Sequence, residues 1–175
     1  MSDQEIFEAA NAVLEICKKK DLTVATAESC TGGLVAASLT EIAGSSAVVD
    51  RGFVTYTNDA KMQMVGVAPM TIERYGAVSR ECAQEMAKGA LAHSAASLAV
   101  SITGIAGPTG AVPGKPIGLV FFCAASRGGR IIAHDRRYGD IGRSKVRRAS
   151  VLQALDMLRE LAEKEEPHPP AEGQS

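Results

Sequence analysis

Short runs of consecutive apolar or small residues alternate with longer amphipathic segments along this chain, and this alternation constrains the fold more than any other feature. The runs at 23–27, 98–103 and 119–125 lack polar alternation, which is typical of strands buried on both faces. The segments 4–19 and 79–96 instead place their apolar residues at helical spacing. Because strands of this kind need helices on both faces, the sequence predicts a three-layer α/β/α fold.

Two further segments complete a central sheet of about five strands. Residues 47–57 are rich in β-branched and aromatic side chains, so they predict one long or bulged strand around Gly52. An Arg-Gly-Gly segment at 127–129 separates the run at 119–125 from a strand at 130–138 and predicts a hairpin turn. A hairpin pairs its strands in antiparallel fashion, and we therefore expect a mixed sheet.

Length, charge and termini indicate the class of protein. With 175 residues, the chain can build one domain with a full core, and we expect it to span 1–166, followed by a disordered tail at 167–175. The net charge of −1 and the absence of Trp argue against a nucleic-acid partner, since such partners are bound by basic and aromatic surfaces. The acidic N-terminus and the lack of about 20 consecutive apolar residues predict a cytoplasmic protein with no membrane contact.

Side chains that bind metals are scattered through the sequence. The four cysteines and the three histidines show no spacing typical of a metal site. Cysteines of a cytosolic chain are expected to be free thiols, and we expect neither a metal ion nor a cofactor. The cysteines are Cys17, Cys30, Cys82 and Cys123, and the histidines are His93, His134 and His168.

An Ala-Glu-Ser-Cys-Thr-Gly-Gly segment, ending at Gly33, joins a predicted strand to a helix and holds two candidate nucleophiles. The first N–H groups of a helix lack partners, so this junction can bind an anion or stabilise an oxyanion. Ser29 is the first candidate, and Cys30 is its rival because thiols at helix N-termini become more acidic. The alternative is an ordinary turn, in which Ser29 or Thr31 caps the helix while Gly32 and Gly33 relieve crowding.

A second loop, 103–110, also follows a predicted strand. In open α/β sheets, ligands bind beyond the carboxyl ends of strands, and we expect both this loop and the Ser29 turn to lie there. Gly104 and Gly107 would let main-chain N–H groups approach a phosphate closely. The alternative is a flexible connector in which Thr103 only ends the strand.

A serine nucleophile needs a base, and no histidine lies at a predicted strand end. Lys61 is a better candidate because it begins a helix just after the strand that ends near Tyr56, where a closed site can lower the pKa of a lysine. Tyr56 could relay or donate a proton. Glu28 would orient Lys61 or contact a ligand hydroxyl, unless it is only a helix-start carboxylate. The alternative for Lys61 is a solvated surface lysine.

Basic residues cluster before and within the last predicted helix. Arg143 lies in the loop that enters this helix, and we expect its guanidinium group to bind a phosphate in bidentate fashion. Arg147 and Arg148 fit better with a solvated helix start. The sequence thus offers one principal cation for an anionic ligand.

Four segments occur in an order that resembles a known family. These segments are 27–33, 51–61, 76–79 and 103–108, and together they are similar to the CinA C-terminal domain family, the nicotinamide mononucleotide deamidases. The resemblance covers residues 5–162. It implies hydrolysis of the carboxamide of nicotinamide mononucleotide to nicotinate mononucleotide and ammonia in pyridine-nucleotide salvage. It also implies a homo-oligomer.

Carried onto this chain, the resemblance makes Ser29 the nucleophile, assisted by Lys61 and Tyr56. The N–H groups of the Ser29 turn would hold the oxyanion, and the phosphate would meet Arg143 and the glycine loop. The expected ligand is then a small phosphorylated pyridine nucleotide. The predicted substrate-binding residues are Glu28, Thr31, Gly32, Gly33, Thr103, Gly104, Gly107 and Arg143.

Two alternative functions remain open from the sequence. One is a non-catalytic, nucleotide-binding regulatory domain of the competence and damage-inducible kind, which keeps the fold without turnover. The other is amide hydrolysis in a different substrate, which would keep the reacting centre and change the phosphate contacts. The joint presence of Ser29, Tyr56 and Lys61 favours an enzyme. Release of ammonia from nicotinamide mononucleotide would distinguish these possibilities.

Overall fold

Five strands form the central sheet within residues 2–168, which are the residues that the computed structural model describes. They are β1 (Val24–Glu28), β2 (Val49–Val54), β3 (Leu98–Gly104), β4 (Leu119–Ser126) and β5 (Ile131–Arg137). The order across the sheet is β2-β1-β3-β4-β5. β1 is parallel to both of its neighbours, whereas β4 is antiparallel to β3 and β5. The mixed sheet expected from the sequence is therefore confirmed.

Six α-helices cover the two faces of this sheet in the described part of the chain. They are α1 (Asp3–Lys20), α2 (Leu34–Thr40), α3 (Asn58–Val65), α4 (Pro69–Tyr75), α5 (Arg80–Ala92) and α6 (Arg143–Lys164). Helices α1, α2 and α6 bury one face, and α3, α4 and α5 bury the other. The three-layer α/β/α architecture is thus confirmed. None of these helices is both long enough and apolar enough to cross a membrane.

The two faces of the sheet carry side chains of different size. On the face covered by α1, α2 and α6, strand β3 contributes Leu98, Val100 and Ile102. The opposite face is lined mainly by alanines, and small side chains allow a helix to approach the sheet closely. Helix α5 lies near enough for the Ser101 hydroxyl of β3 to donate to the carbonyl of Ala83 at 2.5 Å. The position of α5 is therefore fixed against the sheet.

A glycine in α5 in turn fixes the position of α3. A Cβ atom on Gly89 would lie 1.7 Å from the carbonyl oxygen of Val65, the last residue of α3, so only glycine lets the two helices come this close. The other end of α3 is capped by Thr57, whose side chain accepts a hydrogen bond from the N–H of Ala60 at 3.0 Å. Lys61 lies between these two fixed ends.

The second strand is shorter than the sequence predicts. In place of one strand over 47–57, a 3-10 turn at Ser45–Ala47 precedes β2, and the Thr57 cap starts α3 soon after β2 ends. The register between β1 and β2 skips Asp50, so the irregularity lies there and not at Gly52. The side chain of Thr57 accepts a hydrogen bond from a backbone N–H group and so favours a helix start over a longer strand, as Thr commonly does.

The helix predicted over 79–96 also ends early, at Ala92. The guanidinium group of Arg127, which lies in the β4–β5 hairpin, satisfies the carbonyl groups at and beyond this helix end. It donates to the carbonyls of Leu91, Ser94 and Ala96. The disordered tail predicted at 167–175 lies, from residue 169 onward, outside the described residues.

Candidate active site

The carboxyl ends of β1, β2 and β3 lie at one edge of the sheet, because the three strands are parallel. From β1 the chain turns into α2 on one face, and from β2 it turns into α3 on the other. Neighbouring strands whose connections leave on opposite faces open a crevice between them. Ser29 follows β1 and Lys61 lies in α3, so both residues reach this crevice. The expected position of the Ser29 turn and of the loop 103–110 at carboxyl strand ends is confirmed.

Ser29 and Lys61 are in direct contact. The Nζ atom of Lys61 lies 3.1 Å from Oγ of Ser29, and it also lies 3.0 Å from the carbonyl oxygen of Thr55 and 3.3 Å from that of Tyr56. Lys61 is 2% exposed and Ser29 is 7% exposed. The alternative of a solvated surface lysine is therefore wrong, because the end of β2 encloses the amine.

The surroundings of Lys61 make its neutral form easier to reach. Burial lowers the pKa of the Lys61 amine below its usual value, and among the described residues no carboxylate forms an ion pair with it. A neutral amine has two N–H groups and one lone pair. In the structure Nζ donates to the Ser29 hydroxyl oxygen and to the carbonyls of Thr55 and Tyr56. Once the amine is neutral, its two N–H groups suffice for the carbonyls, and the lone pair is left for the Ser29 hydroxyl. This arrangement lets Lys61 accept the Ser29 proton as a base.

Cys30 lies beside Ser29 but is poorly suited to nucleophilic attack. Burial raises the pKa of its thiol to about 12, so the thiol stays protonated at neutral pH. Desolvation thus outweighs the acidification expected at a helix start. The other three cysteines are also buried and free. Residues 2–168 hold no group of three or more acidic, cysteine or histidine side chains that could bind a metal ion.

Glu28, at the end of β1, caps helix α2. Its buried carboxylate accepts hydrogen bonds from the N–H groups of Val35 at 2.8 Å and Ala36 at 3.1 Å, and from the Thr31 hydroxyl at 2.7 Å. Glu28 therefore acts as a helix-start carboxylate. The side chains of Glu28 and Thr31 were expected to contact substrate, but they are bonded to each other and are buried. The first-turn N–H groups of α2 are likewise occupied.

The turn between Ser29 and α2 nevertheless keeps N–H groups for a ligand. Gly32 and Gly33 have φ angles of +58° and +103°, which residues other than glycine rarely adopt. The Gly32 N–H donates to the Ser29 carbonyl at 3.0 Å. Within the described residues, the N–H groups of Thr31 and Gly33 have no hydrogen-bond acceptor. These two donors remain available to an oxyanion.

The end of β3 and the loop that follows it are held by close contacts. The buried Thr103 hydroxyl donates to the carbonyl of Ala77 at 2.8 Å, so this proton is not free for a substrate. A Cβ atom would lie 2.7 Å from a methyl group of Val120 if added to Gly104, and 2.7 Å from one of Ile117 if added to Gly107, so packing explains both glycines. The use of this loop as a phosphate cradle stays a prediction.

Arg143 joins this loop to the end of β2. Its Nη1 donates to the carbonyl of Gly107 at 2.9 Å, and its Nη2 donates to the hydroxyl oxygen of Tyr56 at 3.0 Å. Arg143 is exposed and Tyr56 is 57% exposed. Tyr56 therefore meets Lys61 through its carbonyl group, while its side chain partners Arg143 near the protein surface.

Sequence reasoning missed the position of Arg147. This side chain, expected to be solvated, donates from Nε to the carbonyl of Cys30 at 3.0 Å and from Nη2 to the carbonyl of Thr31 at 3.2 Å. A signal was present, because Arg147 follows Arg143 by four residues and the two must share a face of α6. Arg148 instead pairs with the first residue of α1.

Comparison with known proteins identifies close relatives over nearly the whole chain. A family model described as the CinA C-terminal domain matches residues 7–162. The chain is 48% identical over 159 residues to the nicotinamide-nucleotide amidohydrolase PncC of Escherichia coli K12, covering 90% of this chain and 95% of that protein. A similarly named protein of Enterobacter agglomerans is 46% identical over 162 residues, which cover 91% of this chain and 98% of the relative. The crystal structure of the competence/damage inducible protein CihA from Agrobacterium tumefaciens superposes with a TM-score of 0.89 at 55% identity, covering 90% of this chain and 95% of that one.

Proposed function

The chain belongs to the CinA C-terminal domain family, and on this premise we propose that it is an amidase that hydrolyses nicotinamide mononucleotide to nicotinate mononucleotide and ammonia. Two relatives at 48% and 46% identity are named for nicotinamide-nucleotide amide hydrolysis. The observation that carries the proposal is the buried contact between Ser29 Oγ and Lys61 Nζ, at 3.1 Å. A hydroxyl held against an amine of lowered pKa can supply the nucleophile and the base for amide hydrolysis.

The reaction proceeds in two stages around this pair. Ser29 Oγ attacks the carboxamide carbon while Lys61 takes its proton, and the carbonyl oxygen becomes an oxyanion near the N–H groups of Thr31 and Gly33. Lys61 returns the proton to the departing nitrogen, the C–N bond breaks and ammonia leaves, so that an ester with Ser29 remains. A water molecule then adds to the ester while Lys61 takes its proton. The bond between the acyl carbon and Ser29 Oγ breaks, Lys61 passes the proton to Oγ, and the carboxylic acid leaves.

Arg143 and Tyr56 lie where they can bind the phosphate of the nucleotide. Both side chains are exposed, and Arg143 uses one N–H toward Tyr56 and one toward the carbonyl of Gly107. A guanidinium group has five N–H donors, so three remain for an anion. Phosphate recognition by these residues would place the pyridine ring on the Ser29 side.

Release of ammonia by the purified protein tests the proposed substrate. We expect nicotinamide mononucleotide to be hydrolysed faster than nicotinamide riboside, because the riboside lacks the phosphate. Free nicotinamide should react slowest, because it lacks the ribose as well and so makes the fewest binding contacts. No release from any of the three would contradict the proposal and favour a non-catalytic nucleotide-binding domain. Equal rates with all three compounds would assign the amidase to another substrate.

Ser29→Ala should lower kcat by several orders of magnitude, because the variant has no nucleophile. Cys30→Ala is the matched control, since it removes the neighbouring side chain, which is buried and protonated. We expect the control to retain most of the wild-type kcat. An inactive Cys30→Ala variant beside an active Ser29→Ala variant would reverse the assignment of the nucleophile.

A further inference from the structure

Arg147 holds two consecutive carbonyl groups directly after the nucleophile. Its Nε donates to the carbonyl of Cys30 and its Nη2 donates to that of Thr31. The side chain is partly buried and comes from α6, more than 100 residues further along the chain. Two of its three guanidinium nitrogens are therefore committed to the Ser29 turn.

These contacts determine where one free N–H group of the turn, that of Thr31, points. The peptide bond between Cys30 and Thr31 is trans, so its carbonyl and its N–H point in opposite directions. A donor that fixes the Cys30 carbonyl thereby fixes the direction of the Thr31 N–H, which has no acceptor among the described residues. The second contact fixes the next peptide group, whose Gly32 N–H donates to Ser29.

The composition of the turn explains why such support matters. Gly32 and Gly33 follow directly, and glycine has the largest conformational freedom of all residues. A charged guanidinium group also makes stronger hydrogen bonds than a neutral donor does, and it polarises the peptide group that accepts them. Polarisation of the Cys30–Thr31 peptide group strengthens the Thr31 N–H as a donor.

We propose that Arg147 is a positioning residue that holds the Thr31 N–H toward the oxyanion of the reaction. The inference rests on the proposed amidase function. Arg147 then acts on the transition state and not on the phosphate, and this separates it from Arg143. Its loss should lower kcat, whereas loss of a phosphate ligand should raise KM.

The test compares Arg147→Met and Arg147→Lys with Arg148→Met. The last variant is the control, because it removes the same charge from the adjacent position, where the side chain pairs with Asp3 away from the turn. With nicotinamide mononucleotide, we expect Arg147→Met to lower kcat by about 10- to 100-fold with little change in KM. Arg147→Lys should be intermediate because an ammonium group can hold one carbonyl, and Arg148→Met should match the wild type.

Hydrolysis of p-nitrophenyl acetate separates this inference from the proposed function. This ester also forms an oxyanion at Ser29 but has no nucleotide, so Arg147→Met should slow it as well. A wild type that cleaves the ester and not the nucleotide would overturn the proposed substrate alone. Equal ester rates in wild type and Arg147→Met, or an increase in KM for the nucleotide at unchanged kcat, would overturn the role of Arg147. Unfolding of both Arg147 variants at the assay temperature would also overturn it, because Arg147 would then support the fold.

Discussion

Lys61 is among the largest fully buried side chains in the described residues, and it has three oxygen neighbours but no carboxylate partner there. A charged ammonium group in such a place would lose its hydration without gaining an ion pair. Burial therefore lowers the pKa of Lys61. The site gains a base that loses its proton more readily, and the fold loses stability by holding it, which is a common compromise in active sites.

The unfolding free energy of Lys61→Met at different pH values tests this loss of stability. Folded and unfolded lysines are both neutral above about pH 10.4, the usual pKa of lysine. As the pH falls, the unfolded chain binds a proton at Lys61 before the folded chain does, which destabilises the wild type. We therefore expect the unfolding free energy of Lys61→Met, relative to wild type, to rise as the pH is lowered from 10 to 7. A pH-independent difference in chemical denaturation would contradict a lowered pKa.

The pH dependence of kcat/KM reports the ionisation of the same amine. Because the neutral amine is the base, kcat/KM should rise with pH through the pKa of Lys61, below the ~10.4 of a free lysine. Lys61→Arg should lose this limb and nearly all activity, since a guanidinium group does not release its proton. Wild-type turnover in the arginine variant would show that Lys61 acts through its positive charge and not as a base.

For the helices and strands, the sequence predicts the layers of the fold and the sheet edge where the strand ends meet. It does not predict the side-chain contacts between these helices and strands. Continuous apolar runs and the hairpin at 127–129 are sufficient for the mixed sheet. The approach of Ser29 to Lys61 follows from parallel strands with opposite connections. The carbonyl partners of Lys61 could not be predicted, because every residue has a carbonyl and its direction depends on the backbone path. For the same reason, the carbonyl contacts of Arg147 were missed.

Gly89→Ala tests whether the packing of α5 on α3 positions the base. The added Cβ atom would lie 1.7 Å from the carbonyl oxygen of Val65, so α3 must move, at a cost of about 1–3 kcal/mol in unfolding free energy. We expect a lower thermal midpoint and a lower kcat, because α3 carries Lys61. Gly128→Ala is the control, since its Cβ atom would have only ordinary contacts at 3.8 Å. A stable and fully active Gly89→Ala variant would separate α3 from the reacting centre.

At the scale of the molecule, the site combines both helical layers at one edge of the sheet. The α6 layer holds the Ser29 turn through Arg147, and the opposite layer supplies Lys61 from α3. Helix α6 is itself anchored at its far end, where Lys20 of α1 donates to carbonyl groups of its last turn and beyond. These are the carbonyls of Ala162, Glu163 and Glu165. The distance between Ser29 and Lys61 therefore depends on how the whole sandwich is packed.

Arg143 connects three distant parts of this assembly, since it starts α6 and bonds to Gly107 after β3 and to Tyr56 after β2. If this side chain binds the phosphate, Arg143→Ala should raise KM for nicotinamide mononucleotide about 10- to 100-fold, the equivalent of ~1.5–3 kcal/mol for a charge-assisted hydrogen bond. Nicotinamide riboside, which lacks the phosphate, should be affected little. Arg159→Ala, an exposed change further along α6, should leave both substrates unaffected. Equal damage with both substrates in Arg143→Ala would show that Arg143 supports the loop and the strand ends rather than the ligand.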